Sequence, residues 1–147
     1  MTGLYFDTAY VGKCYLNEPD AAEIRKTAKS TGRLCTSAFT LAELACAFHR
    51  NLREGTLNAT SLKTARDQFQ DDIQNEIWTL IPVSGNILRQ VDLLVRGLPR
   101  NIFLRAGDAL HIVSAVDAGF NEIWTNDRHL LAAAAHFGVK GRSVGSR

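Results

Sequence analysis

Apolar positions along this chain fall into two alternating patterns. Short runs read as strands: Leu4-Tyr5-Phe6, ending at Asp7; Leu34-Cys35-Thr36-Ser37; Thr79-Leu80-Ile81-Pro82-Val83; Glu122-Ile123-Trp124-Thr125; and a weaker fifth, Gly141-Arg142-Ser143-Val144. Pro82 sets Val83 at a strand end, since proline cannot donate to a ladder. Longer segments between them carry helical spacing. Pro19 and acidic neighbours open a helix that Gly32 ends. From Thr40, a stripe of Leu41, Leu44, Ala45, Phe48 and Leu52 runs to Gly55. Leu62, Ala65, Phe69 and Ile73 mark a helix from Thr60 to about Glu76, and Ile87, Val91, Leu94 and Val95 mark another before Gly97. Ala109, Ile112, Val113 and Val116 lead to Gly119, and a last short helix covers Leu130 to His136. Short strands separated by helices predict an α/β fold, a parallel sheet covered on both faces.

Composition adds boundaries to this picture. At 147 residues, with three prolines and no Ser/Gly-rich tract or repeat, residues 1–147 read as a single domain. Hydrophobic residues at 46% and charged residues at 22% exclude a disordered chain. Cys14, Cys35 and Cys46 form no C-x-x-C pair, so a zinc ribbon or disulfide framework is not expected, and unpaired thiols suit a reducing compartment. The N-terminus has neither the basic stretch nor the apolar run of a signal peptide, and no apolar stretch approaches the roughly 18 residues that span a bilayer. The expectation is a cytoplasmic protein without a membrane partner. A net charge of +2 neither demands nor excludes nucleic acid.

Candidate chemistry begins with absences. No P-loop, G-x-G-x-x-G or G-x-S-x-G motif is present. Phe6-Asp7-Thr8-Ala9 resembles the start of an aspartyl-phosphate enzyme, but Ala9 stands where the second aspartate belongs. Carboxylates at strand ends remain. Asp7 follows the first strand and Asp127 the fourth, Glu43 lies in the first turns of the helix after the second strand, and Asp108 opens the helix leading into the fourth. In parallel sheets, ligands bind just beyond those carboxyl ends. Asp7, Asp108 and Asp127 each also read as plain helix caps. Glu43 sits among apolar neighbours with no partner nearby in the sequence. If the four converge, their repulsion calls for a hard cation, Mg²⁺ or Mn²⁺, and such a centre suits phosphodiester hydrolysis.

The series Tyr5-Phe6-Asp7-Thr8, Thr40-Leu41-Ala42-Glu43-Leu44, Leu104-Arg105-Ala106-Gly107-Asp108-Ala109-Leu110-His111 and Thr125-Asn126-Asp127 resembles the PIN-domain family, most closely the VapC-type ribonuclease toxins of toxin–antitoxin pairs. The resemblance spans nearly the whole chain. It implies a three-layer α/β/α fold with a central parallel sheet of four or five strands. It further implies a type II toxin that cleaves RNA with Mg²⁺ or Mn²⁺, forms a homodimer and is held inactive by a cognate antitoxin. Asp7, Asp108 and Asp127 would be metal ligands, Glu43 would position water or act as base, and Thr125 and Thr8 would support the site. The helices from Pro19 to Gly32 and from Thr40 to Arg53 are where the family commonly seats its antitoxin.

Basic residues cluster in Arg25-Lys26-Lys29-Arg33, which reads as a solvated helix face, and in Arg96-Arg100-Arg105. Arg100 and Arg105 lie close enough in sequence to Asp108 to hold an RNA phosphate, or serve only as loop charges. His111, three residues after Asp108, reads as a core or supporting histidine. Two other functions remain open: a PIN-like module that binds RNA or protein without cutting, and a metal-dependent phosphatase of small phosphoesters.

Overall fold

The computed structural model describes residues 3–145. The chain runs β1 (Gly3–Tyr5), α1 (Thr8–Lys13), α2 (Ala21–Lys29), β2 (Arg33–Ser37), α3 (Thr40–Arg53), α4 (Ala59–Gln74), β3 (Trp78–Ile81), α5 (Gly85–Arg96), α6 (Ala106–Asp117), β4 (Glu122–Trp124), α7 (Arg128–Ala134) and β5 (Lys140–Arg142). A 3₁₀ turn, Ala135–Phe137, precedes β5. Every strand predicted from the pattern is present. The third ends at Ile81, one residue before Pro82, because the missing N–H halts the ladder there. The fifth is shifted to Lys140–Arg142, since the Val144 N–H donates to the Tyr10 hydroxyl (2.8 Å). Helix α1 was not predicted: its six residues are too few to display a helical period.

All strand pairings are parallel: β1 with β2, β2 with β3, and β4 with β5. A parallel bridge between Phe6 and Trp124 joins β4 to β1. The order is therefore β3-β2-β1-β4-β5. The chain builds outward from β1 in one direction, then returns to build on its other side. That reversal opens a crevice beyond the carboxyl ends of β1 and β4, the place where such sheets bind ligands.

Side-chain alternation along the strands divides the interior in two. Phe6, Leu34 and Trp78 face one core with Tyr10, Ile24, Leu44, Phe48, Leu62 and Phe69, contributed by α1 to α4. Tyr5, Cys35 and Ile81 face the other with Ile112, Ala115, Leu130 and Ala133, contributed by α6 and α7. Helix α5 lies outside α6, joined to it through Ile87, Val91, Leu110 and Val113. The result is the three-layer α/β/α arrangement that the pattern implied. Among the described residues, Cys14, Cys35 and Cys46 are free thiols. Among the same described residues, no helix is long and apolar enough to cross a membrane.

Candidate active site

Asp7 is placed by the end of β1. Its backbone N–H donates to the Trp124 carbonyl (3.1 Å), while the Phe6 N–H donates to Cys35 on the other neighbouring strand (3.0 Å). The residue thus sits at the centre of the sheet, where the strand order reverses. One carboxylate oxygen, Oδ1, accepts the Tyr10 N–H (2.9 Å) and caps α1. The other, Oδ2, accepts the Thr125 hydroxyl. Asp7 is only 6% exposed. Burial pushes its carboxyl above the usual aspartate range, with Asp108 adding to the rise, against the hydrogen bonds from Thr125 and Tyr10 and the nearby His111.

Asp127 repeats the design at β4. Its Oδ1 caps α7 through the N–H groups of His129 (2.8 Å) and Leu130 (3.2 Å). Its Oδ2 is left for the Arg105 guanidinium (3.0 Å). The capping expectation therefore holds for Asp7 and Asp127, with one oxygen of each capping and the other turned elsewhere. It does not hold for Asp108. Helix α6 starts at Ala106 without a side-chain cap, and Asp108 is its third residue. Its Oδ2 meets Arg105 Nε (3.3 Å). Burial and the Asp127 charge raise the Asp108 carboxyl above its ordinary range, and Arg105 pulls it partly back.

Glu43 has the partners that its sequence neighbourhood lacked. The Thr8 hydroxyl donates to its Oε1 (2.6 Å), and His111 Nε2 lies 2.8 Å from the same oxygen. His111 is itself held at Nδ1 by the Tyr5 hydroxyl (2.8 Å). Burial raises the pKa of that phenol well above the usual tyrosine range, so it remains a donor. A hydroxyl donating to Nδ1 leaves Nε2–H to donate to Glu43. Burial raises the Glu43 carboxyl, but the bonds from His111 and Thr8 outweigh it, and the net shift is downward. Thr8 also meets Thr40 (3.1 Å), Thr40 meets Thr36 (2.8 Å), and Thr36 donates to the Phe6 carbonyl (2.8 Å). Glu43 is thereby tied back to the strand that carries Asp7.

Asp7, Glu43, Asp108 and Asp127 all line one cleft of about 340 Å³, together with Thr8, His111 and Arg105. Thr125 stands behind Asp7 and also accepts the Asp127 N–H (3.0 Å). Arg100 is exposed and lies outside the cleft lining. Lys13 and Arg50, not singled out from sequence, are cationic residues of that lining. Gly107 was likewise missed. A Cβ there would come 2.9 Å from Glu43 Oε2, so the glycine lets α6 approach α3. Its place directly before Asp108 was the available sequence signal.

The donor set is all carboxylate oxygen, which suits a hard cation such as Mg²⁺ or Mn²⁺, and the Asp7 and Asp108 carboxyls are raised first by burial and then by a neighbouring carboxylate. As the side chains stand, no three His, Cys, Asp or Glu residues among the described residues are grouped closely enough to hold a metal. Arg105 instead spans Asp108 and Asp127.

The family model described as PIN domain matches residues 4–136. No curated protein matches the chain in sequence. A solved structure of VapBC2 from Rickettsia felis, bound to a DNA fragment from its promoter, is similar in fold, with a TM-score of 0.66 at 14% identity, covering 96% of this chain and 98% of that one. VapC20 of Mycobacterium tuberculosis, a toxin cleaving the sarcin–ricin loop, gives a TM-score of 0.65 at 16% identity over 88% of this chain and 94% of its own. At these identities the likeness is one of fold.

Proposed function

This chain belongs to the PIN-domain family, and on that premise we propose that it is a Mg²⁺- or Mn²⁺-dependent endoribonuclease acting as the VapC-type toxin of a type II toxin–antitoxin pair. One observation carries the reading: four carboxylates separated by up to 120 residues line a single cleft at the reversal of the sheet. The fold shared with VapBC2 and VapC20 supports it.

Asp7, Asp108 and Asp127 would hold the cation, which when bound lowers the pKa of an attacking water and steadies the leaving 3′-oxygen. Glu43 is the proton acceptor of the cleft. His111 and Thr8 keep it ionised and fix its orientation, so at neutral pH it accepts a hydrogen bond from water entering beside Asp7. Thr125 locks Asp7 against the Asp127 backbone. Arg105 supplies the cation nearest the carboxylates for an RNA phosphate, with Lys13 and Arg50 along the cleft wall; Arg100 would meet RNA farther out.

Exposed Leu41 and Leu52 on α3, with Phe39 just before it, support a protein partner on that helix, the cognate antitoxin. Exposed Leu88, Leu93 and Val95 on α5 support contact with a second copy in a homodimer. A cytoplasmic location is part of the same proposal.

The test is cleavage of an RNA panel by wild type, Asp7→Asn and Asp108→Asn, with EDTA, Mg²⁺ or Mn²⁺. Products from wild type alone, lost in EDTA and restored by either metal, are expected. RNA binding that survives EDTA without products at any metal concentration would mean a non-cleaving module. Faster turnover of a mononucleotide than of RNA would mean a phosphatase.

A further inference from the structure

The position of Arg105 has a consequence beyond holding RNA. One guanidinium touches two carboxylates from different elements: Nε lies 3.3 Å from Asp108 Oδ2, and Nη2 lies 3.0 Å from Asp127 Oδ2. The carboxylates are well covered, with side chains 16% and 28% exposed, whereas Arg105 is 62% exposed. The arm therefore reaches in from solvent to neutralise acids that the fold has partly desolvated. Arg105 is the extended residue just before α6, and two residues earlier the Phe103 ring packs on His129 of α7, the ring centroids 4.6 Å apart.

We propose that Arg105 is the resident counter-charge of this cleft, which a divalent cation must displace from Asp108 and Asp127 before it binds. The inference rests on the metal-dependent reading above. The physical reason is competition for the same two oxygens. A guanidinium brings one delocalised charge on a long, exposed stem, whose ion pairs in water are weak. A divalent cation brings two charges in a small volume and binds carboxylate oxygen directly. Each cation bound therefore turns Arg105 out, and its apparent affinity is reduced by the fraction of protein in which Arg105 holds both acids. The released guanidinium stays anchored at the mouth of the cleft, free to form a forked pair with a phosphate. Arg105 thus weakens cation binding in the absence of RNA and strengthens RNA binding once the cation is in place.

The measurement is Mn²⁺ binding to the intact protein without RNA, by calorimetry or by the EPR signal of free Mn²⁺, for wild type, Arg105→Ala, Arg50→Ala and Asp108→Asn. Arg105→Ala is expected to bind Mn²⁺ about three- to tenfold more tightly. Its KM for RNA at saturating Mn²⁺ is expected to rise several-fold. Arg50→Ala removes a cleft-wall charge that pairs with neither acid, and is expected to leave Mn²⁺ affinity near that of wild type. Unchanged or weaker Mn²⁺ binding by Arg105→Ala, or an equal gain in Arg50→Ala, overturns the competition. If that happens while Asp108→Asn still loses Mn²⁺, the metal site stands and only the role of Arg105 falls. If Asp108→Asn binds Mn²⁺ like wild type, the metal site itself is wrong and the competition goes with it.

Discussion

Nε2 of His111 lies 2.8 Å from Oε1 of Glu43, a pairing between residues 68 apart in the chain. It converts a half-buried carboxylate, whose burial alone would favour the neutral form, into one ionised below the usual glutamate range. His111 is itself 2% exposed and held by Tyr5, so the geometry is set by packing rather than by a mobile surface side chain.

Removing that support is predicted to show in a pH profile. His111→Ala returns the Glu43 carboxyl upward, so the acid limb of RNA cleavage moves to higher pH. The rate at the plateau falls about 10- to 100-fold, the usual consequence of losing an orienting partner. The check is kcat against pH for wild type and variant; an unmoved acid limb would separate His111 from Glu43.

Asp7 should act against stability. Its carboxyl titrates above the unfolded-chain value because it is buried. Below the unfolded value, near 3.8, both states are protonated and nothing is lost. As pH rises, the unfolded chain releases its proton first, so native stability declines until the folded carboxyl also ionises. Asp7→Asn cannot ionise, and its amide can still cap α1 through Oδ1. The variant is predicted to abolish cleavage and to exceed wild type by about 0.5–2 kcal/mol at pH 7 in EDTA, a margin that vanishes in acid. Thermal denaturation across that range tests the sign.

Thr125 joins two acids with one hydroxyl, donating to Asp7 and accepting from the Asp127 N–H, at 0% exposure. Thr125→Val keeps the shape and strands both partners. A loss of about 1–3 kcal/mol is expected, together with most of the activity. Thr125→Ser restores the hydroxyl and should recover both, as chemical denaturation and cleavage assays on the pair would show.

Gly107→Ala separates fold from site. Helix propensity favours alanine by roughly 0.5–1 kcal/mol. The new methyl meets the Glu43 carboxylate, the far end of a flexible side chain, which can turn aside. The expected outcome is a protein of about wild-type stability, the helix gain offset by weakened bonds from His111 and Thr8 to Glu43, with cleavage at least about tenfold slower. A fully active Gly107→Ala would show that Glu43 need not be held where it stands.

Local features of the fold were legible along the chain because their causes are local. Strand and helix periods, the halt at Pro82 and the caps made by Asp7 and Asp127 depend on residues within a few positions of one another. Six residues were too few for α1 to announce itself, and the strand near residue 140 slipped because Tyr10, far away in sequence, claimed the Val144 N–H. The acidic residues could be picked out by residue type and position. Their use could not: Glu43 looked partnerless, Asp108 looked like a cap, and Arg105 could equally have been a loop charge.

Sequence by itself determined an α/β chain of alternating strands and helices, and which acids stand at the ends of those elements. Tertiary structure alone decided that β4 lies beside β1, so that Thr125 meets Asp7, and that α6 turns His111 toward Glu43 while Arg105 reaches Asp127. The reason is that periodicity reports which face of an element is buried, whereas the neighbour it is buried against is chosen by the packing of the whole sheet.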